Sequence, residues 1–248
     1  MRHLLIINPN TSGSVSALLQ THAQRAAGPD VRVRTVTARF GAPYIACEAS
    51  YAVAGHAVLD TWAATLADDD QAEPGAVLIG CFGDPGLLAL RDSSAVAVTG
   101  LAEAAFVEAA AYGRFAIVTG GARWRPMLAR LAQMLGYGDQ LAGIHKVAPT
   151  GAQLAADPVA AQALLAAACQ AAVRDFRAQA VILGGAGLAG LAQMIQADVS
   201  VPVIDSVLAG TRQALLAADA GPGNGSGHFD VRWQQVSAEM TGLGLPAV

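Results

Sequence analysis

The chain has 248 residues, of which 54% are hydrophobic, 14% charged and 5% aromatic, with a formal net charge of −4. That length fills one large domain or two small lobes around a substantial core, and so little charge excludes a disordered chain. No basic run offers an electrostatic footprint for nucleic acid, and no apolar stretch approaches the roughly 18 residues of a membrane span.

The first eight residues carry only four consecutive apolar positions, Leu4-Leu5-Ile6-Ile7. They read as a first strand rather than a signal peptide, so a cytoplasmic protein is expected. Further strands are expected at Val31–Val36, Ala76–Gly80, Ala95–Thr99, Phe115–Thr119, Ala180–Gly184 and Val201–Asp205. Helical patterns lie between them at Gly13–Ala27, Tyr51–Ala67, Ala102–Ala111, Arg125–Leu135, Pro158–Phe176 and Ser206–Ala218. Runs such as Val181-Ile182-Leu183 are apolar continuously rather than alternately, the pattern of parallel strands buried on both faces. Strand–helix alternation of this kind gives an open parallel α/β sheet, or two. The glycine-rich stretch Gly221–Gly227 reads as a flexible loop before a last short helix.

An internal repeat favours two sheets. Ala76–Leu87 aligns without gaps on Ala180–Leu191 at an offset of 104 residues, with six of twelve positions identical. Each copy is followed by a second short strand. The expected architecture is therefore α/β with two pseudo-symmetric lobes, each a short parallel sheet flanked by helices, with the active site in the cleft between them. The first lobe would comprise residues 1–98 with 206–248 and carry Cys81; the second would comprise 99–205 and carry Gly185.

Ligands of open α/β sheets bind beyond the carboxyl ends of the strands, where four polar or glycine-rich loops fall. Asn8-Pro9-Asn10-Thr11-Ser12 can cap the next helix or hold a substrate oxygen with the same donors. In Gly80-Cys81-Phe82-Gly83-Asp84-Pro85-Gly86, Asp84 suits an N-cap and Pro85 the first helical position. That would place Cys81 just ahead of a helix N-terminus, where the dipole favours thiolate. A base or nucleophile and a small buried residue are then equally good readings of Cys81. Cys169 sits within an apolar helical run and Cys47 just before a helix, and both read as structural. Thr119-Gly120-Gly121 is the second-lobe counterpart of the first loop.

Gly185-Ala186-Gly187-Leu188-Ala189-Gly190 is a literal G-x-G-x-x-G, with Asp205 twenty residues beyond Gly185. Its repeat partner has cysteine in place of the first glycine, so chance in an Ala/Gly-rich chain is the better account than a dinucleotide site. Lys146 is the only lysine, and it reads as a solvated surface residue rather than a Schiff-base nucleophile. His56, His145 and His228 lie outside these loops and read as surface residues. The three cysteines show no spacing for a disulfide framework or a metal site.

Together, Ile7-Asn8-Pro9-Asn10-Thr11-Ser12, Cys81-Phe82-Gly83-Asp84-Pro85-Gly86-Leu87, Arg123-Trp124-Arg125-Pro126-Met127-Leu128 and Pro202-Val203-Ile204-Asp205 resemble the Asp/Glu/hydantoin racemase superfamily, closest to its hydantoin and allantoin racemase branch. The resemblance implies cofactor-independent racemisation or epimerisation of a 5-substituted hydantoin or related amino-acid derivative. It implies that one cysteine from each lobe faces the stereocentre, one as base and the other as acid. Donors around the enolate oxygen would come from Asn8, Asn10, Thr11, Thr119 and Gly120, with Phe82, Gly83, Asp84, Gly121, Ala186 and Gly187 lining the site.

Cys81 matches the first cysteine, but the second cysteine's position is Gly185, which can neither give nor take a proton. Three readings stay open at this point: a racemase using Cys81 with water or another acid, a one-cysteine lyase, decarboxylase or tautomerase like the superfamily's arylmalonate decarboxylase, and a non-catalytic binding protein. No cofactor is expected. The partners expected are a small-molecule substrate and further copies of the chain as a homo-oligomer, with neither nucleic acid nor membrane.

Overall fold

Leu4, Leu5, Ile6 and Ile7 are all buried to within 2% of complete, because the strand they form is covered on both faces. The computed structural model describes residues 2–68, 72–121, 123–147 and 158–245. Its first sheet contains β1 (Arg2–Asn8), β2 (Val31–Thr37), β3 (Ala76–Ile79) and β4 (Ala97–Gly100) in the order β2-β1-β3-β4, all parallel. Around them run α1 (Gly13–Ala27), α2 (Glu48–Leu66) and α3 (Leu87–Ser93). The second sheet repeats the order with β5 (Phe115–Gly120), β6 (Leu141–Val147), β7 (Ala180–Gly184) and β8 (Val203–Asp205), as β6-β5-β7-β8. Its helices are α4 (Leu101–Ala110), α5 (Trp124–Met134), α6 (Pro158–Phe176) and the short α7 (Leu191–Ile195); α8 (Ser206–Ala220) and α9 (Ala238–Gly242) close the chain. No described helix is long and apolar enough to cross a membrane.

The repeated segments become β3 and β7, each in third place in its sheet. Burial explains which strands are apolar throughout: β3 and β7 are buried at every position, whereas edge strand β2 alternates buried Val31 and Val33 with exposed Arg32. Strand β6 and the short α7 are absent from the expected set. An edge strand needs no continuous apolar run, and Leu141–Val147 has a glycine, a histidine and the exposed Lys146.

The chain divides into two compact units. One comprises Met1–Gly80, Asp84–Gly100 and Thr211–Val248; the other comprises Cys81–Gly83 and Leu101–Gly210. Cys81 to Gly83 group with the second unit because Phe82, 4% exposed, packs its ring edge-on to Phe106 at 6.2 Å. Phe106 in turn stacks on Phe115 at 5.5 Å and meets Tyr137 at 5.9 Å. A second cluster lies between α6 and β7, where Leu165, Cys169 and Ala172 meet Val181 and Leu183.

In the first unit the loop Gly221–Gly227 is tied down rather than free, contrary to its glycine-rich appearance. Gly223 N–H donates to Ala95 O at 2.9 Å and Ser226 N–H to Asp92 O at 3.0 Å. Beyond it, Phe229, Trp233, Val236, Met240 and Leu243 pack on Leu59 and Ala63 of α2. An ionic clasp closes this contact: Arg39 binds Asp60 of α2 through Nε (3.0 Å) and Nη2 (2.8 Å), and Glu239 of α9 through Nη1 (2.8 Å).

Two predictions follow from this packing. Burial alone would raise the Asp60 pKa, but hydrogen bonds from Arg39 and Ser237 and the nearby Arg39 charge outweigh it and hold the carboxyl below its ordinary value. The Arg39 hydrogen bond lowers Glu239 likewise. Carboxyls held low stabilise the fold above the ordinary carboxylate range and lose that contribution as pH falls through their folded pKa values. The gap in urea midpoint between wild type and Arg39→Ala should therefore narrow from pH 7 to pH 3. In the second unit, Phe106→Ala removes the ring on which Phe82, Phe115 and Tyr137 converge. It should cost about 3–5 kcal/mol in equilibrium unfolding.

Candidate active site

Asn8, at the last position of β1, is fully buried, and its amide is spent on shaping the loop that follows. Nδ2 donates to Asn10 Oδ1 (3.0 Å), Ser12 O (3.1 Å) and Ser16 Oγ (2.9 Å), while Oδ1 accepts from Asn10 N–H. Ser16 continues the network to Thr37 Oγ1 at 2.6 Å. Asn10 Oδ1 also accepts from Ser12 N–H at 2.9 Å, which fixes the orientation of its amide. Its Nδ2 is therefore the donor that no described residue uses. Thr11 N–H donates to Ala42 O at 3.1 Å. Ser12 is the N-cap of α1, accepting from Val15 N–H. The sequence placed Asn8, Asn10 and Thr11 in one class, whereas the geometry divides them: Asn8 builds the turn, and Asn10 and Thr11 present polar groups from it.

Cys81 stands two residues past β3 and is 8% exposed. The expected helix start at Asp84 and Pro85 is not what forms. Asp84 takes a left-handed conformation (φ 52°), Gly86 takes another (φ 78°), and α3 begins at Leu87. The turn is closed by Leu87 N–H donating to Asp84 O at 3.2 Å. The thiol is thus six positions ahead of a helix of only seven residues, so the helix dipole gives no account of a thiolate there. Asp84 is 2% exposed, with its carboxylate packed over Gly100 at the end of β4.

Within the second unit, three segments named from the sequence converge. Thr119, near the end of β5, donates its hydroxyl to Gly184 O at 2.8 Å. Gly184 admits the Phe82 ring where any Cβ would stand, and this brings the strand end of β7 against the residue beside Cys81. Gly185 follows with φ 142° and ψ 135° and donates its N–H to Ser206 Oγ at 3.3 Å. A Cβ at Gly185 would meet nothing nearer than Leu188 Cγ at 3.9 Å. Space is thus available, and the backbone is what excludes a side chain. Cys81 shows no such positive φ, so the two positions related by the repeat differ in conformation as well as identity. Gly120, Gly121, Ala186 and Gly187 are part-exposed on the same loops. Ala122 lies outside the described residues.

Asp205, the last residue of β8, accepts from Val207 N–H (2.9 Å) and Leu208 N–H (3.1 Å) at the start of α8, and from Gly190 N–H (2.6 Å). Its carboxylate organises two turns, which accounts for its spacing from the glycine run without a nucleotide. Ser206 was missed from the sequence; an Asp-Ser pair at a strand end, ahead of an apolar helical run, is the capping signal that could have marked it. Cys169 is fully buried, and burial pushes its thiol up to about 12, so it has no thiolate to offer near neutrality. Cys47 is the N-cap residue of α2. None of the three cysteines is in a disulfide. Among the described residues, no group of three or more His, Cys, Asp or Glu side chains is arranged to hold a metal ion.

Two four-stranded parallel sheets of one strand order, flanked by helices, define the duplicated α/β fold of the racemases. The chain belongs to the Asp/Glu/hydantoin racemase family, whose model matches residues 4–214. It is 31% identical to the hydantoin racemase of Paenarthrobacter aurescens over 217 residues, covering 85% of this chain and 89% of that one. It is 29% identical to the hydantoin racemase of Rhizobium meliloti over 229 residues, covering 88% and 90%. Among solved structures, allantoin racemase from Klebsiella pneumoniae superposes with a TM-score of 0.82 at 30% identity, covering 90% of this chain and 91% of that one.

Gly185→Cys should adopt its site only after the backbone at residue 185 rotates out of φ 142°. A cost of about 1–3 kcal/mol is expected in equilibrium unfolding by denaturant.

Proposed function

We propose that the protein racemises a hydantoin-type substrate, a 5-substituted hydantoin or allantoin, with Cys81 as the acid/base. The observation that carries this reading is Cys81 itself, a nearly buried cysteine just past β3, in a chain whose relatives over most of its length include hydantoin and allantoin racemases. The hydrogen at such a stereocentre is acidified by the adjacent carbonyl. Cys81 as thiolate takes that proton, and the electron pair moves onto the carbonyl oxygen as an enolate. Donors from Asn10 Nδ2 and the Thr11 hydroxyl, in the loop after the strand that neighbours β3, stabilise that charge. The new carbon–hydrogen bond forms on the opposite face with a proton from water, because Gly185 supplies no acid. The hydroxide left behind takes the proton from the Cys81 thiol, and the cycle closes with no net change but inversion.

The conformation of Gly185 favours a second reading. With glycine at 185 and no second thiol there, the same site takes and returns the proton on a single face, the chemistry of a one-cysteine lyase, decarboxylase or tautomerase.

Proton NMR in deuterated water, followed by polarimetry on the same samples, separates the two. L- and D-5-substituted hydantoins and allantoin are the substrates. Racemisation predicts deuterium uptake with loss of optical rotation, reduced about 10²–10⁴-fold in Cys81→Ser. Uptake with the rotation unchanged establishes one-face chemistry instead. No uptake from any of these substrates overturns the racemase reading for them.

A further inference from the structure

The Arg39 clasp lies beside the first polar loop, and no step of the proposed reaction uses it. Arg39 sits in the connection between β2 and α2, on a stretch bonded to the Asn8–Ser12 loop on both sides of it. Ala38 N–H donates to Asn8 O at 2.9 Å, and Ala42 O accepts from Thr11 N–H at 3.1 Å. Between these two bonds, Phe40 meets the His56 ring of α2 edge-on at 4.9 Å. Arg39 reaches the same helix one turn on. Its fork engages both oxygens of Asp60, whose side chain is only 3% exposed, and its third nitrogen engages Glu239.

A planar guanidinium bound at three nitrogens is fixed in position and in plane, as an ammonium is not. Asp60 gains in return, because a buried carboxylate deprived of its cation is costly. Glu239 belongs to the segment Phe229–Leu245, which packs on α2 and lies beyond the residues that the family model matches. That segment therefore bears, through one arginine, on the chain beneath Thr11.

We propose that Arg39 is a positioning residue for the substrate loop: anchored by Asp60 and by Glu239, it holds residues 38–42 where they bond Asn8 and Thr11, on either side of Asn10. This rests on the reading in which Asn10 and Thr11 donate to substrate oxygens. Donors that act on the charge developing in the transition state contribute to turnover more than to binding. Loss of Arg39 then lowers kcat and leaves KM less affected.

The test uses Arg39→Ala, Arg39→Lys and Glu239→Ala, each checked for native far-UV circular dichroism. Hydrogen–deuterium exchange at the Thr11 amide is measured alongside KM and kcat for hydantoin racemisation. In Arg39→Ala, Thr11 exchange should quicken at least about tenfold and kcat should fall about tenfold, with KM within about threefold of wild type. Arg39→Lys should recover only part of the loss, and Glu239→Ala should show a smaller change in the same direction. Glu239→Ala leaves the Asp60 pair whole and serves if Arg39→Ala does not fold. Unchanged Thr11 exchange in the folded variants overturns the proposal whatever the activity, and so does a released Thr11 with an unchanged kcat. A wild-type protein that fails to racemise overturns the functional reading by itself and leaves the exchange result to decide the brace.

Discussion

Parallel strands can be joined only by crossovers, and a crossover returns the chain to the same edge from which the next strand starts. Every loop that leaves a strand therefore leaves at the carboxyl end, whatever its sequence. In this chain the constraint operates twice, on β2-β1-β3-β4 and on β6-β5-β7-β8. The placement of Asn10, Thr11, Cys81, Thr119 and Gly185 follows from it. Each is the end of a strand or lies within three residues of one. The interiors of the sheets, apolar on both faces, leave those ends as the places where polar side chains can stand without being buried unpaired.

Within that frame the two units solve the same problem by different means. The first builds its loop from side-chain amides and hydroxyls, with Asn8 at the centre and Ser16 and Thr37 behind it. The second uses almost no side chains of its own: Thr119 bonds a carbonyl, Ser206 accepts from an amide, and the rest is glycine backbone. Sequence divergence after duplication has thus kept the topology and exchanged the chemistry of the loops. The clearest instance is the pair related by the 104-residue offset, where one copy has Cys81 and the other has Gly185 in a backbone conformation that side chains rarely adopt.

Much of this was legible before any coordinates. The continuous apolar strands, the repeat and the four loops declare themselves because burial on both faces leaves an unmistakable pattern. What was not legible has a common cause. Strand β6 is an edge and need not be apolar; its existence could have been argued only from the repeat, which requires a counterpart to β2. The start of α3 at Leu87 rather than Pro85 depends on two left-handed residues, one of them an aspartate, and propensity alone does not foresee them. The separate roles of Asn8 and Asn10 depend on which amide is buried. The clasp through Arg39 joins residues 200 apart in the chain, a separation at which local pattern carries no information.

The ring of Phe82 has an implication for how such a protein can change over generations. It sits next to the thiol, yet its contacts are with Gly184 and with Phe106, itself stacked among the interior aromatics of the unit. The residue beside Cys81 is thus inherited together with the core: drift at Phe106, Phe115 or Tyr137 must be compensated in concert or it displaces the reactive group. The polar loop after β1 is bound instead by side chains of its own unit, Asn8, Ser16 and Thr37. Change there is bounded by three polar side chains, whereas the position of the thiol stays tied to an aromatic core.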